Sequence, residues 1–205
     1  MRVRAATPRE AKHACLAFHY AKTYPCLEFK YSVFNDAGEW CGCVIFNRGA
    51  NSHIGSENGL MQGEVVELSR VALNGKQGHG FTTKAVMMCV RRLKRDKPFV
   101  RLIVSYADID QDHAGTIYQA MNFVYAGDRN EGTVGAMVIH GRKMHKRSVG
   151  AKGWVQNLEW IRENVDPDAS NFVTKGKRKY LLALDKKTRK RIEELAKPYP
   201  KKDRG

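Results

Sequence analysis

Three side chains that can move a proton or hold an oxygen lie close together in the middle of the chain. Ser105 and Asp108 fall at the end of the apolar run 100–106, and Tyr118 follows in a short helical segment. A carboxylate can accept a proton, a phenol can donate one, and a serine hydroxyl can bind a developing oxyanion. These types indicate group transfer, although the same residues can instead cap a turn, pack in the core and satisfy a backbone group.

Three further candidates come earlier in the sequence. His19 and Tyr20 stand near the end of a predicted N-terminal helix, and Arg70 lies in an alternating segment, 64–73, predicted as a strand. His19 is a second proton acceptor, and a guanidinium can hold a carbonyl or phosphate oxygen. The structural alternatives are a helix end for the first two and an ion pair with Glu67 for Arg70.

The elements that must position these residues alternate between β-rich and helical patterns. Thr7, Pro8 and Glu10 form a capping box, so a helix begins there and runs towards Tyr24 and Pro25. Asn, Asp and Gly between the β-rich runs 28–34 and 40–47 predict a hairpin. Further strands are predicted at 64–73, 100–106, 123–126, 132–140 and 180–184, and helices at 81–95, 113–121 and 185–196.

A glycine loop connects the strand at 64–73 to the helix at 81–95. Strand, glycine loop and helix is the order in which phosphate-bearing cofactors are commonly bound, because the helix N-terminus presents unpaired backbone N–H groups. Gly78 and Gly80 lie in this loop. The loop is therefore a predicted pyrophosphate site.

Composition predicts one α/β core with a basic extension. The chain of 205 residues is 42% apolar, and we place the core at 1–140 and the extension at 141–205. The five cysteines lack metal-ligand spacing, which favours a reducing compartment. Neither a secretory signal nor an apolar run long enough to span a bilayer is present, so the expected location is the cytoplasm.

The charge balance predicts a polyanionic partner. Lys and Arg number 36 against 21 Asp and Glu, a formal net charge of +15. Such a field attracts nucleic acid, while the plainer explanation is a solvated basic face. The candidate phosphate contacts follow residue 140, with Trp154 or Trp160 available to stack on a base: Arg142, Lys143, Lys146, Arg147, Lys152, Lys175, Lys177, Arg178 and Lys179.

The strand at 64–73, its glycine loop, the strand to Tyr106 and the Tyr118 helix resemble the GCN5-related N-acetyltransferase fold over about half the chain. The resemblance implies a mixed, mostly antiparallel sheet flanked by helices, with Tyr118 as general acid. It implies acetyl-CoA or a related acyl-CoA as donor, although Gly75 stands where the family carries Arg or Gln. The implied cofactor contacts are Val71, Leu73, Gly78 and Gly80.

A closer resemblance combines the segments 19–25, 67–70, 105–108 and 115–118, which read HYAKTYP, ELSR, SYAD and GTIY. Together they resemble the Mom family of phage proteins, which add a carbamoylmethyl group to the exocyclic amine of adenine in double-stranded DNA. The resemblance spans about residues 10–200. It implies that six side chains converge at the strand ends: His19, Tyr20, Arg70, Ser105, Asp108 and Tyr118.

Three functions compete on these grounds. The first is a DNA adenine transferase that protects phage DNA from restriction, the second an acetyltransferase acting on a protein lysine or small amine, and the third a DNA-binding module without activity. His19, Tyr20 and Asp108 are ligand types for iron, but no ligand spacing supports an iron site. The sequence leaves the metal, the donor and the oligomeric state open.

Overall fold

The structure is a computed structural model that describes residues 1–25, 28–49 and 52–201, with the side chain of Arg147 outside the description. The strands are β1 Arg2–Ala5, β2 Phe29–Phe34, β3 Trp40–Asn47, β4 Val65–Leu73, β5 Leu102–Asp108, β6 Val124–Arg129, β7 Val134–Ile139, β8 Arg142–His145, β9 Ser170–Val173 and β10 Lys177–Ala183. The α-helices are α1 Pro8–Phe18, α2 Phe81–Asp96, α3 Thr116–Gln119, α4 Lys146–Ala151, α5 Leu158–Asn164 and α6 Lys186–Glu193.

The larger sheet has seven strands in the order β1-β2-β3-β4-β5-β10-β6. The pairs from β1 to β4 are antiparallel, and β4 pairs with β5 in parallel. Alternate residues of β3 face opposite sides: Val44 and Phe46 pack in the cluster that includes α2, while Cys43 and Ile45 pack with α1. The predicted mixed, mostly antiparallel sheet flanked by helices is confirmed.

The chain divides into two compact units. The first unit comprises 1–107, 114–127 and 179–205, and the second comprises 108–113 and 128–178. The second unit holds the sheet β8-β7-β9 and has a core of its own, centred on Met137, Ile139 and Ile161. This division differs from the one predicted at residue 140, because β10 lies between β5 and β6 and so returns the C-terminal segment to the larger sheet.

Several predicted elements change at their ends. The helix beginning after Thr7 has the predicted capping box but ends at Phe18, well before Tyr24. The segment after Gly141, predicted only as basic, begins with the strand β8 and the helix α4. Strands β1 and β9 and helix α5 were not predicted, because four-residue strands and a seven-residue helix carry too few residues for a clear period.

Two irregularities shape the sheet beside the candidate site. In β3 and β4 the register shifts so that Ile45 pairs with Arg70 and Phe46 with Leu68, which makes Ser69 an extra residue, a β-bulge. Gly42 in β3 has φ +125°, and a Cβ there would lie 2.1 Å from the carbonyl oxygen of Ala72. Only glycine permits this close approach of the two strands.

Candidate active site

The parallel strands β4 and β5 separate partway along their length. They pair over Val65–Glu67 and Leu102–Val104, and the pairing stops there. Ser105 is the first residue of β5 beyond the paired part, and its hydroxyl donates to the carbonyl oxygen of Leu68 at 3.1 Å. The gap between the strands therefore opens at a buried serine, which also does the structural job expected of it.

Tyr118 is positioned by the glycine that caps its helix. Gly115 has φ +76°, and a Cβ there would lie 2.3 Å from the Tyr180 ring. Without that Cβ, the Tyr180 hydroxyl reaches the carbonyl oxygen of Ala114 at 2.7 Å. The Tyr118 ring then packs against Tyr180 and Phe123, with centroid separations of 5.1 and 5.5 Å. The predicted spacing of Tyr118 to Phe123 thus corresponds to a real ring contact.

Polar groups surround the Tyr118 hydroxyl. Burial raises the pKa of Tyr118, a hydrogen bond with Ser105 opposes that rise, and the charges of Tyr20 and Glu67 add to it. Because the pKa lies above the ordinary value of 10, the phenol is protonated at neutral pH. Ser105 and Tyr118 are therefore hydrogen-bonded, with Tyr118 in the state that can donate a proton, and the convergence of the six candidate residues stays a prediction.

His19 and Tyr20 form a ring pair immediately after α1. His19 is buried and its Nδ1 accepts the backbone N–H of Ala21 at 3.1 Å, while the ring centroids of His19 and Tyr20 lie 4.4 Å apart. A neutral imidazole that accepts at Nδ1 carries its proton on Nε2. His19 is therefore arranged as a donor through Nε2, which weakens its assignment as the general base.

Arg70 lies beneath the turn that follows α1. Its Nη2 donates to Thr23 Oγ1 at 3.0 Å and its Nη1 to the carbonyl oxygen of Ser69 at 2.6 Å. The third donor, Nε, is buried and has no hydrogen-bond partner within the described ranges. An unpartnered buried donor is costly, so Nε is a group that a bound oxygen would satisfy.

Asp108 ends β5 and belongs to the second unit. Its carboxylate accepts the backbone N–H of Asp110 at 3.1 Å and so caps the 3-10 turn Ile109–Gln111. The structural role predicted for Asp108 is thus present. Its role as a proton acceptor stays a prediction.

Glu67 was not predicted as a functional residue. It is the last residue of β4 paired with β5, opposite Val104, and its charge acts on Tyr118. The sequence pattern treated it as one member of an alternating strand. Nothing in that alternation shows that the neighbouring strand departs after this position.

The glycine loop at 74–80 fits a phosphate group. Gly80, at φ +79°, caps α2 without any side-chain hydrogen bond to the first turn, and Gly78 and Gly80 have no neighbouring atom within 4 Å of an added Cβ. Lys76 and Gly78 also line a cavity of about 550 Å³. The Phe81 N–H donates to the carbonyl oxygen of Gly78 at 3.3 Å, so the other N–H groups of the first helical turn are those that would bind a phosphate. Asp36 and Glu39 line the same cavity as Lys76.

The strand β4 completes the fit to an extended cofactor. Among the described residues no strand pairs with the β5 edge of β4 beyond Glu67, and this stretch contains Val71 and Leu73. An extended chain can hydrogen-bond such an edge. The residues present thus fit a cofactor with an extended arm and a pyrophosphate, as the acyl-CoA class has.

The cysteines and the described metal-ligand types point to no metal centre. Cys15, Cys41, Cys43 and Cys89 are buried free thiols, and burial raises the pKa of Cys43 to about 11. Cys26 lies outside the described residues. Within 1–25, 28–49 and 52–201 no group of three His, Cys, Asp or Glu side chains could hold a metal ion.

A helix that spans a membrane must be both long and apolar. None of the helices in the same ranges is long and apolar enough to cross a bilayer.

The predicted phosphate contacts, Lys179 excepted, all lie in the second unit. Lys143 pairs with Asp110 at 2.8 Å and lies 3.7 Å from the centroid of Phe172. Lys152 lies over the ring of Trp154, and Arg178 donates to the carbonyl oxygen of His113. The others occupy β8, α4, the segment after β9 and the start of β10: Arg142, Lys146, Arg147, Lys175 and Lys177.

Lys179 is not a surface cation. It is buried in the first unit, with Nζ 3.5 Å from Glu57 and 3.4 Å from the Asn58 side-chain oxygen. The prediction that it contacts phosphate is wrong, because its side chain is buried on β10, the strand between β5 and β6. Its ammonium instead holds the 3-10 turn Ser56–Asn58.

Net charge is divided unequally between the units. The second unit contains ten Lys and Arg and nine Asp and Glu, a net charge of +1. Subtracting these from the totals of 36 and 21 leaves 26 and 12 in the first unit, a net charge of +14. The positive field therefore originates mainly from the unit that holds Tyr118 and its neighbours.

These features define the N-acyltransferase fold, and solved structures agree. An acetyltransferase from Bacillus subtilis in complex with CoA is 14% identical, with 90% of this chain and 99% of that chain covered and a TM-score of 0.52. The Salmonella typhimurium protein yncA with its cofactor acetyl-CoA is 13% identical, with 91% and 95% covered and the same score. A chimera of the Vibrio cholerae spermidine N-acetyltransferase SpeG with hSSAT is 12% identical, with 94% and 99% covered and a TM-score of 0.52.

The sequence comparison identifies the family within this fold. The model of the Mom protein family matches residues 1–201, so the chain belongs to the Mom family. The resemblance inferred from the four short segments is thereby confirmed. No curated protein sequence matches the chain.

Proposed function

We propose that this protein transfers a carbamoylmethyl group to the exocyclic amine of adenine in double-stranded DNA and so protects phage DNA from restriction in the host cytoplasm. The family match over residues 1–201 carries the proposal. The polar groups at the separation of β4 and β5 support it, because they provide a protonated phenol next to a carboxylate and a second tyrosine.

The residues of the chain have distinct tasks in this reaction. The adenine amine is a weak nucleophile because its lone pair is delocalised into the ring, so a carboxylate must accept its proton. Asp108 is the proposed acceptor, and Glu67 is a second carboxylate beside Tyr118. Tyr118 donates a proton to the departing group.

Oxygen binding falls to the remaining donors. The Nε of Arg70, buried without a hydrogen-bond partner among the described residues, is suited to hold a carbonyl or phosphate oxygen. His19 is proposed as a further residue of this site. Ser105 fixes the Tyr118 hydroxyl. A cofactor of the acyl-CoA class, if held along β4 and the loop at 74–80, would acylate the amine through its thioester carbonyl and release the CoA thiol. A carbamoylmethyl group is joined through its CH2 carbon, so its transfer requires a donor with a leaving group on that carbon.

A paired adenine must also leave the duplex before its amine can react. Extrusion costs a few kcal/mol, which phosphate contacts offset. The exposed cations of the second unit, such as Arg142, Lys152 and Lys175, are proposed phosphate contacts, with Trp154 or Trp160 able to stack.

Mass spectrometry of nucleosides tests the proposal. Plasmid DNA is recovered from bacteria that express the wild-type chain, Tyr118→Phe, Asp108→Asn or the control Tyr199→Phe, whose hydroxyl donates to the carbonyl oxygen of Phe123. We expect a modified deoxyadenosine with the wild type and the control and its loss in the first two variants.

The same cultures test the second candidate, an acetyl-CoA-dependent N-acetyltransferase. The open loop at Gly78 and Gly80 favours it equally well, since that loop fits the cofactor and not the acceptor. Unmodified DNA together with newly acetylated protein lysines or small amines would refute DNA modification and support this candidate.

A further inference from the structure

One face of α1 is exposed and basic. Arg9, Lys12, His13 and Leu16 are exposed and follow one another at the spacing of a single helical face. With Ala17 they line a shallow recess of about 440 Å³. Leu16 keeps 44% of its surface exposed and gives this otherwise basic face an apolar member.

The acidic residue of α1 does not neutralise this face. Glu10 pairs with Arg4 at 2.6 Å and accepts the backbone N–H of Thr7 at 2.8 Å. These bonds, led by that from Arg4, lower the pKa of Glu10 to about 2, so it is charged but already paired. The positive charges of Arg9 and Lys12 consequently face solvent on their own helix without an acidic neighbour.

Tyr20 lies two residues after the end of α1. A turn closed by the Lys22 N–H on the carbonyl oxygen of His19, at 3.1 Å, follows α1. Tyr20 lies in this turn with 53% of its surface exposed, although its ring lies 4.4 Å from the buried His19 ring. An aromatic ring supported on one side and open to solvent is suited to stack on a base.

Tyr20 is also next to the reacting groups. The turn that holds Tyr20 is bonded to β4, because Arg70 Nη2 donates to Thr23 Oγ1 at 3.0 Å. Ser105, which donates to the Leu68 carbonyl oxygen of the same strand at 3.1 Å, also bonds the Tyr118 hydroxyl. The unit that contains both has 26 Lys and Arg against 12 Asp and Glu. A polyanion is therefore attracted to the unit in which a base stacked on Tyr20 would meet Tyr118.

We infer that the outer face of α1 and Tyr20 form the acceptor surface for DNA. Arg9 and Lys12 bind backbone phosphates, and the Tyr20 ring stacks on the extruded adenine and presents its amine to the site. Tyr20 thus acts through its ring and not through its hydroxyl. This inference rests on the proposed function, and it places a nucleic-acid contact in the first unit, outside the basic residues of the second.

Binding to a labelled duplex tests the helix face without relying on chemistry. The double variant Arg9→Gln, Lys12→Gln is compared with Arg91→Gln, Lys94→Gln, which removes the same charges at the same spacing from exposed positions of α2. Fluorescence anisotropy gives the dissociation constant at several salt concentrations. We expect the slope of log affinity against log salt to fall by about two for the α1 variant, since each phosphate contact contributes about 0.9, and to change little for the α2 variant.

Equal slopes in the two double variants would overturn the α1 surface, since the loss would then reflect net charge alone. Duplex binding by the wild type without any DNA adduct would refute the proposed reaction and leave this surface standing. Wild-type protein that shows no salt-dependent duplex binding would refute both. Thermal unfolding of each variant confirms that it is folded.

Substitution of Tyr20 tests the stacking role through plasmid adducts. Tyr20→Phe keeps the ring and removes the hydroxyl, whereas Tyr20→Ala removes both. We expect Tyr20→Phe to retain most of the modified deoxyadenosine and Tyr20→Ala to lose at least about fivefold, as base stacking on an aromatic ring predicts. Equal losses in the two variants would assign the role to the hydroxyl and overturn the stacking platform.

Discussion

The two units of this chain carry their charge differently. The second unit contains the most conspicuous basic segment of the sequence, yet its net charge is +1, while the first has +14. The segment 128–178 itself contains six Asp and Glu beside its ten Lys and Arg, and 108–113, which belongs to the same unit although it is distant in sequence, adds Asp108, Asp110 and Asp112. A basic run in a sequence is therefore not necessarily a basic surface, because the fold can bring acids to it.

Single lysine and arginine residues of the two units also differ in whether an acidic side chain neutralises them. In the second unit, Lys143 is held by Asp110 and by the ring of Phe172. In the first unit, Arg9 and Lys12 lie exposed on a helix whose acidic residue is bound to Arg4. Exposed cations such as Arg9 and Lys12 can bind a phosphate without first breaking an ion pair, whereas Lys143 would have to leave Asp110.

The largest expected effect concerns the reacting group of the first unit. Tyr118→Phe removes the proposed proton donor and keeps the ring contacts with Tyr180 and Phe123. We expect the rate of adenine modification to fall by about 100-fold or more, the usual contribution of general acid catalysis. Adduct formation against time measures it, with thermal stability unchanged.

If Tyr118→Phe modified adenine at the wild-type rate, Tyr118 would not be the proton donor. Asp108, in the second unit, would then be the main proposed proton-transfer group. The second unit, and not the first, would hold the main reacting group.

The raised pKa of Tyr118 also predicts a pH profile. Burial raises this pKa above 10, so the phenol stays protonated and the rate of adenine modification should stay constant up to about pH 9.

The scaffold beneath Tyr118 gives the next largest effect. Gly115→Ala adds a Cβ that would lie 2.3 Å from Tyr180 at a φ of +76°. We expect a loss of about 3 kcal/mol in the free energy of unfolding, from overpacking and backbone strain together. The control Gly38→Ala has φ +81° and open space around the Cβ, so it should lose only about 1 kcal/mol.

Urea unfolding measures both free energies. Equal losses at Gly115 and Gly38 would show that backbone conformation alone matters and that Tyr180 gives way without cost. In that case the packing of Tyr180 against Tyr118 would not explain the position of the phenol.

Much of the first unit was predictable, because its strands and helices are long enough to show a period. The hairpin β2 and β3, the strand β4 and the helix α2 have nearly the predicted bounds. The second unit was largely missed, since β8 and β9 have four residues each. Its membership also depends on contacts between 108–113 and 128–178 that no local pattern encodes.

The candidate site was predictable in part. Ser105 and Tyr118, which the family segments placed in one site, are hydrogen-bonded, while the convergence of all six candidate residues stays a prediction. Glu67 was missed because only the end of β4 and β5 pairing reveals its position. The tautomer of His19 was also beyond the sequence, since it depends on the backbone N–H of Ala21 in a turn two residues away.

A moderate loss of stability is expected when Asp110, whose bonds connect three segments of the second unit, is replaced. Asp110 is buried, which favours its neutral form, but bonds from Lys143, the Lys175 N–H and Thr174 lower its pKa to about 2. A lowered pKa gives stability that is present above about pH 4 and lost as the pH falls towards 2. Asp110→Asn should cost about 2 kcal/mol at pH 7 and remove that acid dependence.

Tryptophan fluorescence of Trp154 and Trp160 follows this unit directly. Carrying out the titration in a Trp40→Phe background removes the one tryptophan of the first unit. If Asp110→Asn unfolds at the same pH as the parent, the ion pair with Lys143 contributes nothing to the unit, and the charge comparison loses its structural basis.

The smallest effect separates two lysines of the second unit that the sequence treats alike. Lys175 is exposed and only its backbone N–H binds Asp110, whereas the Lys143 ammonium binds that carboxylate directly. Lys175→Gln should therefore lower the salt slope of duplex binding by about one and leave acid stability unchanged. Lys143→Gln should do the reverse, because its charge is already neutralised by Asp110. Anisotropy and fluorescence titrations on both variants decide this, and a salt slope lowered by Lys143→Gln would mean that DNA displaces Asp110 from the ion pair.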